Sequence, residues 1–392
     1  MKYSHLYRLV TFCLLCLPSA VLGASNHPAM DVEKTESLSE MPTALADAED
    51  ARKKPSWFEI HGDYRWLFGE GRFRYHQVGQ RKDHKIIMET RRFRLFPVIH
   101  VTPELAIKTQ WEDNRSDKLG QDTVKSNHHL YMGRLYLEYV KNSFKAEAGR
   151  FNYYLADGNV IDKKVDGLRL RYGDSDSSTG RFAFFYGNTV SKGPEKKEGF
   201  ILENRRETGK WLSHLAYLDL KSKTNHSKSF DGSTAQYLHF LGLSAGRSGS
   251  KFDRQRIGEW NVAYSPNEDW TFGMDFLYAH GRHKADNYTA HEGGYVASIT
   301  YGDAKPEKGG TYEIWVRYYN QPQASIIAHT MDGDTAFFQR MSFKGWGARI
   351  DYVLTPGLVW AVEGFSLKNK SDGPLTDNFH EYVLGTSVTA YF

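Results

Sequence analysis

Cysteine is almost absent from this chain. Its 392 residues include two, Cys13 and Cys16, both in the apolar start. If that start is removed on export, the mature protein has none, and neither a disulfide framework nor a thiolate metal site is possible. Long apolar runs are also missing beyond the start, and mean hydropathy is −0.59. A polytopic helical membrane protein needs runs of about 20 apolar residues, so that class is excluded. Charge of one sign is missing too. Lys+Arg total 51 against Asp+Glu 47, a formal +4, which is a mixed surface rather than the footprint of a nucleic-acid binder. What the chain has in quantity is aromatic residues and glycine: 24 tyrosines, 23 phenylalanines, 9 tryptophans and 35 glycines. Such a composition argues against intrinsic disorder.

The first 24 residues read as an export signal. Lys2 and Arg8 precede an apolar run from Leu9 to Leu22, and small residues follow at Ala20, Gly23 and Ala24. The expected cut is after Gly23 or Ala24. About 14 apolar residues are short for a membrane span. A lipid-anchoring site would need a small residue before Cys16, and Leu15 stands there. Residues 25–55 are acidic and polar, with Asp31, Glu33, Glu36, Glu40, Asp47, Glu49 and Asp50, and read as an N-terminal extension.

From Trp57 onward one pattern repeats. Segments of about ten residues alternate apolar and polar, separated by polar turns. In 57–68, Phe58, Ile60, Tyr64, Trp66 and Phe68 share one face, and Glu59, His61, Asp63 and Arg65 the other. In 270–278, Trp270, Phe272, Met274, Phe276 and Tyr278 oppose Thr271 and Asp275. A soluble sandwich also alternates, so three further features decide. Long charged side chains stand in mid-strand on the polar face, as at Arg92, Arg94, Arg169 and Arg171. Aromatics flank the apolar stretches. Short turns at 101–104, 141–143, 265–269 and 355–357 alternate with longer polar loops near 69–85, 113–128, 281–292, 320–342 and 368–377. Together these are the pattern of an all-β transmembrane antiparallel barrel. Only alternate residues of a tilted strand face lipid, and closure satisfies the backbone, so such a barrel is hydrophilic on average.

Sixteen strands are predicted over 56–392, near 57–68, 87–97, 104–113, 129–140, 144–151, 164–173, 180–189, 210–221, 235–245, 255–264, 269–279, 293–302, 310–320, 344–354, 358–367 and 379–392. Residues 198–206 could form an extra strand, and a hairpin there would make eighteen. The connection 222–234 is too long for a comfortable turn on the short side.

The last strand is the sharpest signal. Tyr382, Leu384, Thr386, Val388, Ala390 and Phe392 alternate to the final residue. A chain ending this way resembles outer-membrane barrel proteins, whose assembly machinery reads that end, with Phe392 in the role of assembly signal. The predicted lumen face of the first six strands carries a basic stripe: Arg65, Arg92, Arg94, Lys108, Arg134, Lys145, Arg169 and Arg171. A loop at about 152–163 follows the fifth strand, with Asp157 and Asp162 in it and Asp166 just beyond.

Here the sequence resembles a bacterial porin. In general porins the third long loop folds into the barrel, and its acidic residues face arginines on the opposite wall. The resemblance implies that Asp157, Asp162 and Asp166 are constriction acids and that the arginine stripe is their counterpart. The pair Asp166-Gly167 resembles porins of this kind as well. The loop, at about 12 residues, is shorter than the constriction loops of general porins. The resemblance further implies a homotrimer in contact with outer-membrane lipid and lipopolysaccharide, no cofactor, and passive passage of small hydrophilic solutes; the excess of Arg and Lys in the predicted wall points to a weak anion preference.

Other readings stay open: a channel specific for phosphate or acidic sugars, a β-rich enzyme acting on glycans or lipids, and an adhesin using the long loops. No Gly-x-Ser-x-Gly elbow or phosphate loop is present. The adjacent His128 and His129 point to opposite faces in an extended chain and make a poor chelate. Asp332-Gly333-Asp334 is too short for a calcium loop. Asn287-Tyr288-Thr289 matches a glycosylation acceptor, which carries little weight in an exported chain of bacterial type.

Overall fold

The computed structural model describes residues 57–77, 80–119, 130–190, 196–222, 252–283, 288–327, 342–370 and 377–392. The export signal, the acidic extension, the expected strand at 235–245, His128, His129, Asn287 and Asp332–Asp334 lie outside the described residues.

The described chain forms sixteen strands: β1 (Phe58–Gln77), β2 (Gln80–His100), β3 (Leu105–Leu119), β4 (Tyr131–Lys141), β5 (Phe144–Leu155), β6 (Ile161–Tyr172), β7 (Arg181–Thr189), β8 (Lys197–Thr208), β9 (Trp211–Ser222), β10 (Arg254–Tyr264), β11 (Trp270–His283), β12 (Tyr288–Gly302), β13 (Tyr312–Gln321), β14 (Phe343–Thr355), β15 (Leu358–Asn369) and β16 (Asp377–Tyr391). Each pairs antiparallel with its sequence neighbours, and β16 closes on β1 through the ladder Asp63↔Tyr391 to Arg74↔His380. Phe392 extends that seam by exchanging both backbone bonds with Gly62, at 2.8 and 3.0 Å. With no edge left open, every ladder is paired.

Two expectations about the strands change. Residues 198–206, the possible extra strand, lie within β8 (Lys197–Thr208). That removes the difficulty at 222–234: β8 and β9 join by a tight turn at 209–210, and the long connection 223–253 moves to the other end of the barrel. The expected loops at 69–85 and 281–292 are mostly strand as well. β1 and β2 continue to Gln77 and Gln80 as a more polar ribbon, where Arg72 and Lys85 clasp Glu70 at 2.7 and 2.8 Å and Phe73 is buried. Above the lipid neither face of a ribbon needs apolar residues, so alternation of hydropathy fades while the backbone ladder goes on.

The alternation puts Tyr64, Trp66, Phe68, Leu135, Leu137, Phe184, Leu215, Phe272, Phe276 and Ile299 on the exposed outer surface. Aromatics bound this band at both ends. Near the short turns Trp211 packs on Tyr264 and Trp270 on Tyr301, each with ring centres 4.6 Å apart. Near the longer connections Tyr318 meets Trp346 at 4.8 Å. From Trp270 to Tyr278 along β11, eight residues rise about 27 Å, or about 20 Å of height at the usual strand tilt. The apolar band of a transmembrane barrel, girdles included, is about 25 Å tall, so this stretch spans most of it. The buried core lies inside the cylinder, on the inward faces.

Candidate functional site

The site is built where β5 and β6 leave the wall. The β4–β5 ladder ends at Leu135↔Arg150, while β5 and β6 stay paired with each other up to Leu155↔Ile161. The β6–β7 ladder stops at Val165↔Thr189, extended by one bond from Val190 to Lys164. Residues 151–163 therefore form a hairpin with no wall strand beside it.

This hairpin lies inside the barrel because its sequence and the wall are both apolar there. Phe151, Tyr153, Leu155, Val160 and Ile161 are at most 2% exposed. They share one cluster with Phe185 of β7, Ile201 of β8, Leu218 of β9 and Ile257 of β10. Those four wall residues are cross-strand neighbours in register, so they make an apolar band across the inner wall. The Tyr153 ring lies 5.0 Å from that of Phe185, its hydroxyl donates to the Glu203 carboxylate, and the Arg169 guanidinium sits over its face at 5.3 Å.

A row of glycines makes the close packing possible. Gly149, Gly167, Gly187 and Gly199 are successive cross-strand partners from β5 to β8. A Cβ on Gly187 would collide with the Asp166 carbonyl oxygen and stand 2.7 Å from the Phe185 ring. The missing side chains let that ring lie flat over the wall.

The turn at 156–160 crosses to the far side. Ala156, Asp157 and Gly158 all have positive φ, at 55°, 49° and 75°. For alanine and aspartate that backbone costs about 1–2 kcal/mol per residue. The far wall holds it in place. Arg317 of β13 donates to the Asp157 carbonyl at 3.2 Å and lies 3.7 Å from its carboxylate. Asn159 donates to Asp275 of β11 at 3.0 Å, and Gln321 donates to the Asn159 carbonyl. A second inward piece follows β13: a 3-10 turn at Gln323–Ser325, with Ala324 and Ser325 fully buried. Gln255 of β10 donates to the carbonyls of Ala324 and Ile326 at 2.8 and 3.0 Å, and the Ile327 amide donates to Val160 at the hairpin tip, at 2.9 Å.

Opposite this apolar packing, the inner wall of β1–β6 is charged. All eight basic residues of the expected stripe lie on the face that points away from the exposed aromatics. Arg65 and Arg92 are direct cross-strand neighbours. Arg94, 3% exposed, grips Asp63 with contacts of 2.7 and 2.9 Å. Lys108 and Lys145 hold Glu138 at 2.6 and 2.7 Å, and Arg169 and Arg171 hold Glu147 at 2.7 and 3.4 Å. Glu138 and Glu147 are themselves directly opposed, a like-charge pair that these four cations offset. Arg134 is the cross-strand partner of Gln110, whose amide donates to Glu112 at 2.9 Å. Arg92 and Arg94 also act electrostatically on Glu112. Eight cations thus meet four carboxylates, Asp63, Glu112, Glu138 and Glu147.

The three acidic candidates separate. Asp157 sits at the hairpin tip but turns to Arg317 on the far wall rather than to the basic stripe. Asp162 accepts from Asn152 at 3.3 Å. It shares its face with Lys164, whose ammonium reaches Glu112 of β3 at 2.9 Å, so this face looks toward the charged wall. Asp166 lies in β6 on the outward side with Leu168, bonded to Arg150 at 2.7 and 2.9 Å. The single residue between Gly167 and Val165 takes the opposite face of the strand from both, which is why Asp166 leaves the loop set. The turn proper is 156–160, because pairing continues on either side of it.

Sequence reasoning missed Tyr153, Asn159, Gln255, Asp275, Arg317 and Gln321 as anchors. One signal for them is legible in hindsight. Around 182–187 and 212–220 the chain is apolar on both faces, as in Phe182-Ala183-Phe184-Phe185 and Leu215-Ala216-Tyr217-Leu218. A wall strand facing water on its inner side has no need of that, so something must cover it.

No protein-family model matches the chain, and no curated protein matches it in sequence. Solved structures do match its fold. The in-vitro folded trimer form of OmpT, an outer membrane protein of Vibrio cholerae, aligns with a TM-score of 0.50 at 12% identity, over 86% of this chain and 99% of that one. The anion-selective porin from Comamonas acidovorans aligns with a TM-score of 0.50 at 10% identity, over 85% of this chain and 100% of that one. At these identities the likeness is one of fold: a closed sixteen-strand barrel of the porin type.

Proposed function

We propose that this chain is an outer-membrane porin, a water-filled channel for passive diffusion of small hydrophilic solutes and ions with a weak anion preference. The observation that carries the reading is the inward hairpin 151–163. It covers the apolar band of β7–β10, and in this reading solutes pass on its other side, along the charged wall of β1–β6. A sixteen-strand cylinder is wide enough for an aqueous lumen.

The channel performs no bond chemistry. A solute passes between the Asn152, Asp162 and Lys164 face of the hairpin and the stripe of Arg65, Arg92 and Arg134, with Arg94 buried on Asp63. Polar solutes exchange ordered water for these fixed dipoles and charges, and apolar ones lose water without replacement. Rings of charge set ion preference. Lys108, Lys145, Arg169 and Arg171 are held close to Glu138 and Glu147, which cancel half of their charge and leave the group net positive. The direct opposition of Arg65 and Arg92 concentrates positive potential, which favours a weak selection for anions.

Assembly as a homotrimer, contact with outer-membrane lipid, and reading of Phe392 by the assembly machinery belong to the same proposal. Removing Phe392 deletes two seam bonds to Gly62 and is expected to lower the fraction of folded, heat-shifted protein recovered from membranes. An unchanged folded fraction would count against the signal role. Single-channel recording tests the channel itself. Ohmic steps in KCl support the diffusion channel, and steps blocked by micromolar phosphate or uronate would instead favour the solute-specific reading.

A further inference from the structure

On the outer surface, above the aromatic belt at the end with the longer connections, four strands bring a basic patch together. Two successive outward rows are in register. One runs Asp219, Arg256, His280, His291 from β9 to β12, and the next runs Lys221, Arg254, Arg282, Thr289. Asp219 is the sole carboxylate on these two rows from β9 to β12, and Glu198 of β8 borders them opposite Lys221, where the Tyr186 hydroxyl donates to it at 3.1 Å. Arg254 and Arg256 both lean on it, at 2.8 and 3.3 Å, yet remain 41% and 43% exposed. His280 and His291 face each other with their Nδ1 atoms 3.0 Å apart.

Two imidazoles at that spacing could be read as half of a metal site. Their surroundings argue otherwise. Arg254, Arg256 and Arg282 all act electrostatically on His280, and three guanidiniums repel a divalent cation while they attract an anion. Guanidinium forks match phosphate oxygens in pairs.

The row just below explains what kind of anion fits. It runs Tyr217, Gly258, Tyr278, Gly293. A Cβ on Gly258 or Gly293 would find its nearest neighbour at 4.0 or 3.9 Å, so open notches flank the exposed Tyr278 ring. Apolar Trp260, Phe276 and Ile299 continue the exposed surface toward the middle of the band. A basic rim, a notched aromatic row and an apolar wall follow one another down the surface, in the order of headgroup, backbone and acyl chain.

We propose that this patch is a binding site for the phosphate-bearing headgroup of a membrane lipid, with Arg254, Arg256, Arg282 and the His280–His291 pair as its phosphate contacts. The site rests on the barrel's lying in a bilayer and not on conduction.

The test uses detergent-solubilised folded protein and native mass spectrometry. Phosphatidic acid is titrated against diacylglycerol, which differs by the phosphate alone, and inorganic phosphate is added in a third arm. Phosphatidic acid is expected to be retained and diacylglycerol lost. The combined variant Arg254→Gln/Arg256→Gln/Arg282→Gln should weaken retention by roughly 10-fold or more. Asp219→Asn, which removes the carboxylate that Arg254 and Arg256 both engage, should tighten it, an effect that mere structural damage would not produce. Equal retention of the two lipids, or retention unchanged in the triple variant, would overturn the proposal. Displacement by millimolar inorganic phosphate would overturn it in favour of a free-anion site. Single-channel conductance of the same preparations, unchanged in both variants, keeps the outcome separate from the channel reading.

Discussion

Tyr153 is the side chain on which the inward position of the hairpin most depends. It is fully buried, its ring packs on Phe185 at 5.0 Å under the Arg169 guanidinium, and its hydroxyl donates to Glu203. Tyr153→Ala removes the ring and leaves a cavity, which for large aromatic side chains costs about 3–5 kcal/mol. It also strips a donor from Glu203, a loss of about 1–3 kcal/mol, part of which His214 at 3.2 Å can offset. Tyr153→Phe keeps the ring and loses the donor alone, so its cost is the smaller figure. The strain of three positive-φ residues at the turn works in the same direction once the hairpin is loosened. In planar bilayers, Tyr153→Ala should give noisier current and a larger mean conductance, and Tyr153→Phe a trace close to the parent. The heat-shift temperature on gels should fall in the same order. If Tyr153→Ala is as quiet, as narrow and as heat-stable as the parent, the hairpin is not held by this packing.

Three other perturbations test separate parts of the account. Asp63→Ala or Arg94→Ala alone breaks a buried pair and should cost about 3–5 kcal/mol in urea unfolding of the detergent-solubilised barrel, while the double variant costs less than the two together. Simple additivity would show that the pair is not coupled. Arg65→Ala/Arg92→Ala should move the reversal potential in a KCl gradient away from anion preference, and an unmoved potential would remove these residues from the conduction path. Gly187→Val places a branched side chain against the Asp166 carbonyl and the Phe185 ring, and should lower the yield of heat-shifted barrel. An unaffected yield would mean that the glycine row is not required for the hairpin to lie down.

Much of the barrel is legible because lipid imposes a simple rule on alternate residues. Tyr64, Trp66 and Phe68 against Asp63 and Arg65 announce a two-sided strand without any tertiary information, and the same rule places all eight basic residues of the stripe on the inner face. The rule fails where lipid is absent. Beyond Phe68 the ribbon of β1 and β2 mixes Glu70, Arg72 and Lys85 with Phe73, Ile86, Ile87 and Met88, and β8 carries Glu203, Asn204, Arg205 and Arg206 in succession, so alternation weakens there.

The site was legible only in part for a different reason. That a loop near 152–163 turns inward followed from a resemblance, but its partners depend on which wall it reaches. Asp157 could have faced the arginine stripe. Arg317, some 160 residues later in the chain, holds it instead. Asp166 illustrates parity at its plainest: Gly167 at its side faces inward, so Asp166 cannot. The pairing of Lys108 and Lys145 with Glu138, and of Arg169 with Glu147, comes from register, and a sequence does not reveal register until the turns are fixed.

The central claim is that an inward hairpin leaves an open aqueous passage beside a basic wall. Single-channel recording of the purified, folded protein in symmetric KCl and then in a KCl gradient tests it most directly. The account predicts discrete ohmic steps with a reversal potential of the sign for mild anion preference. An absence of conductance from protein that migrates as a folded barrel on gels would contradict it.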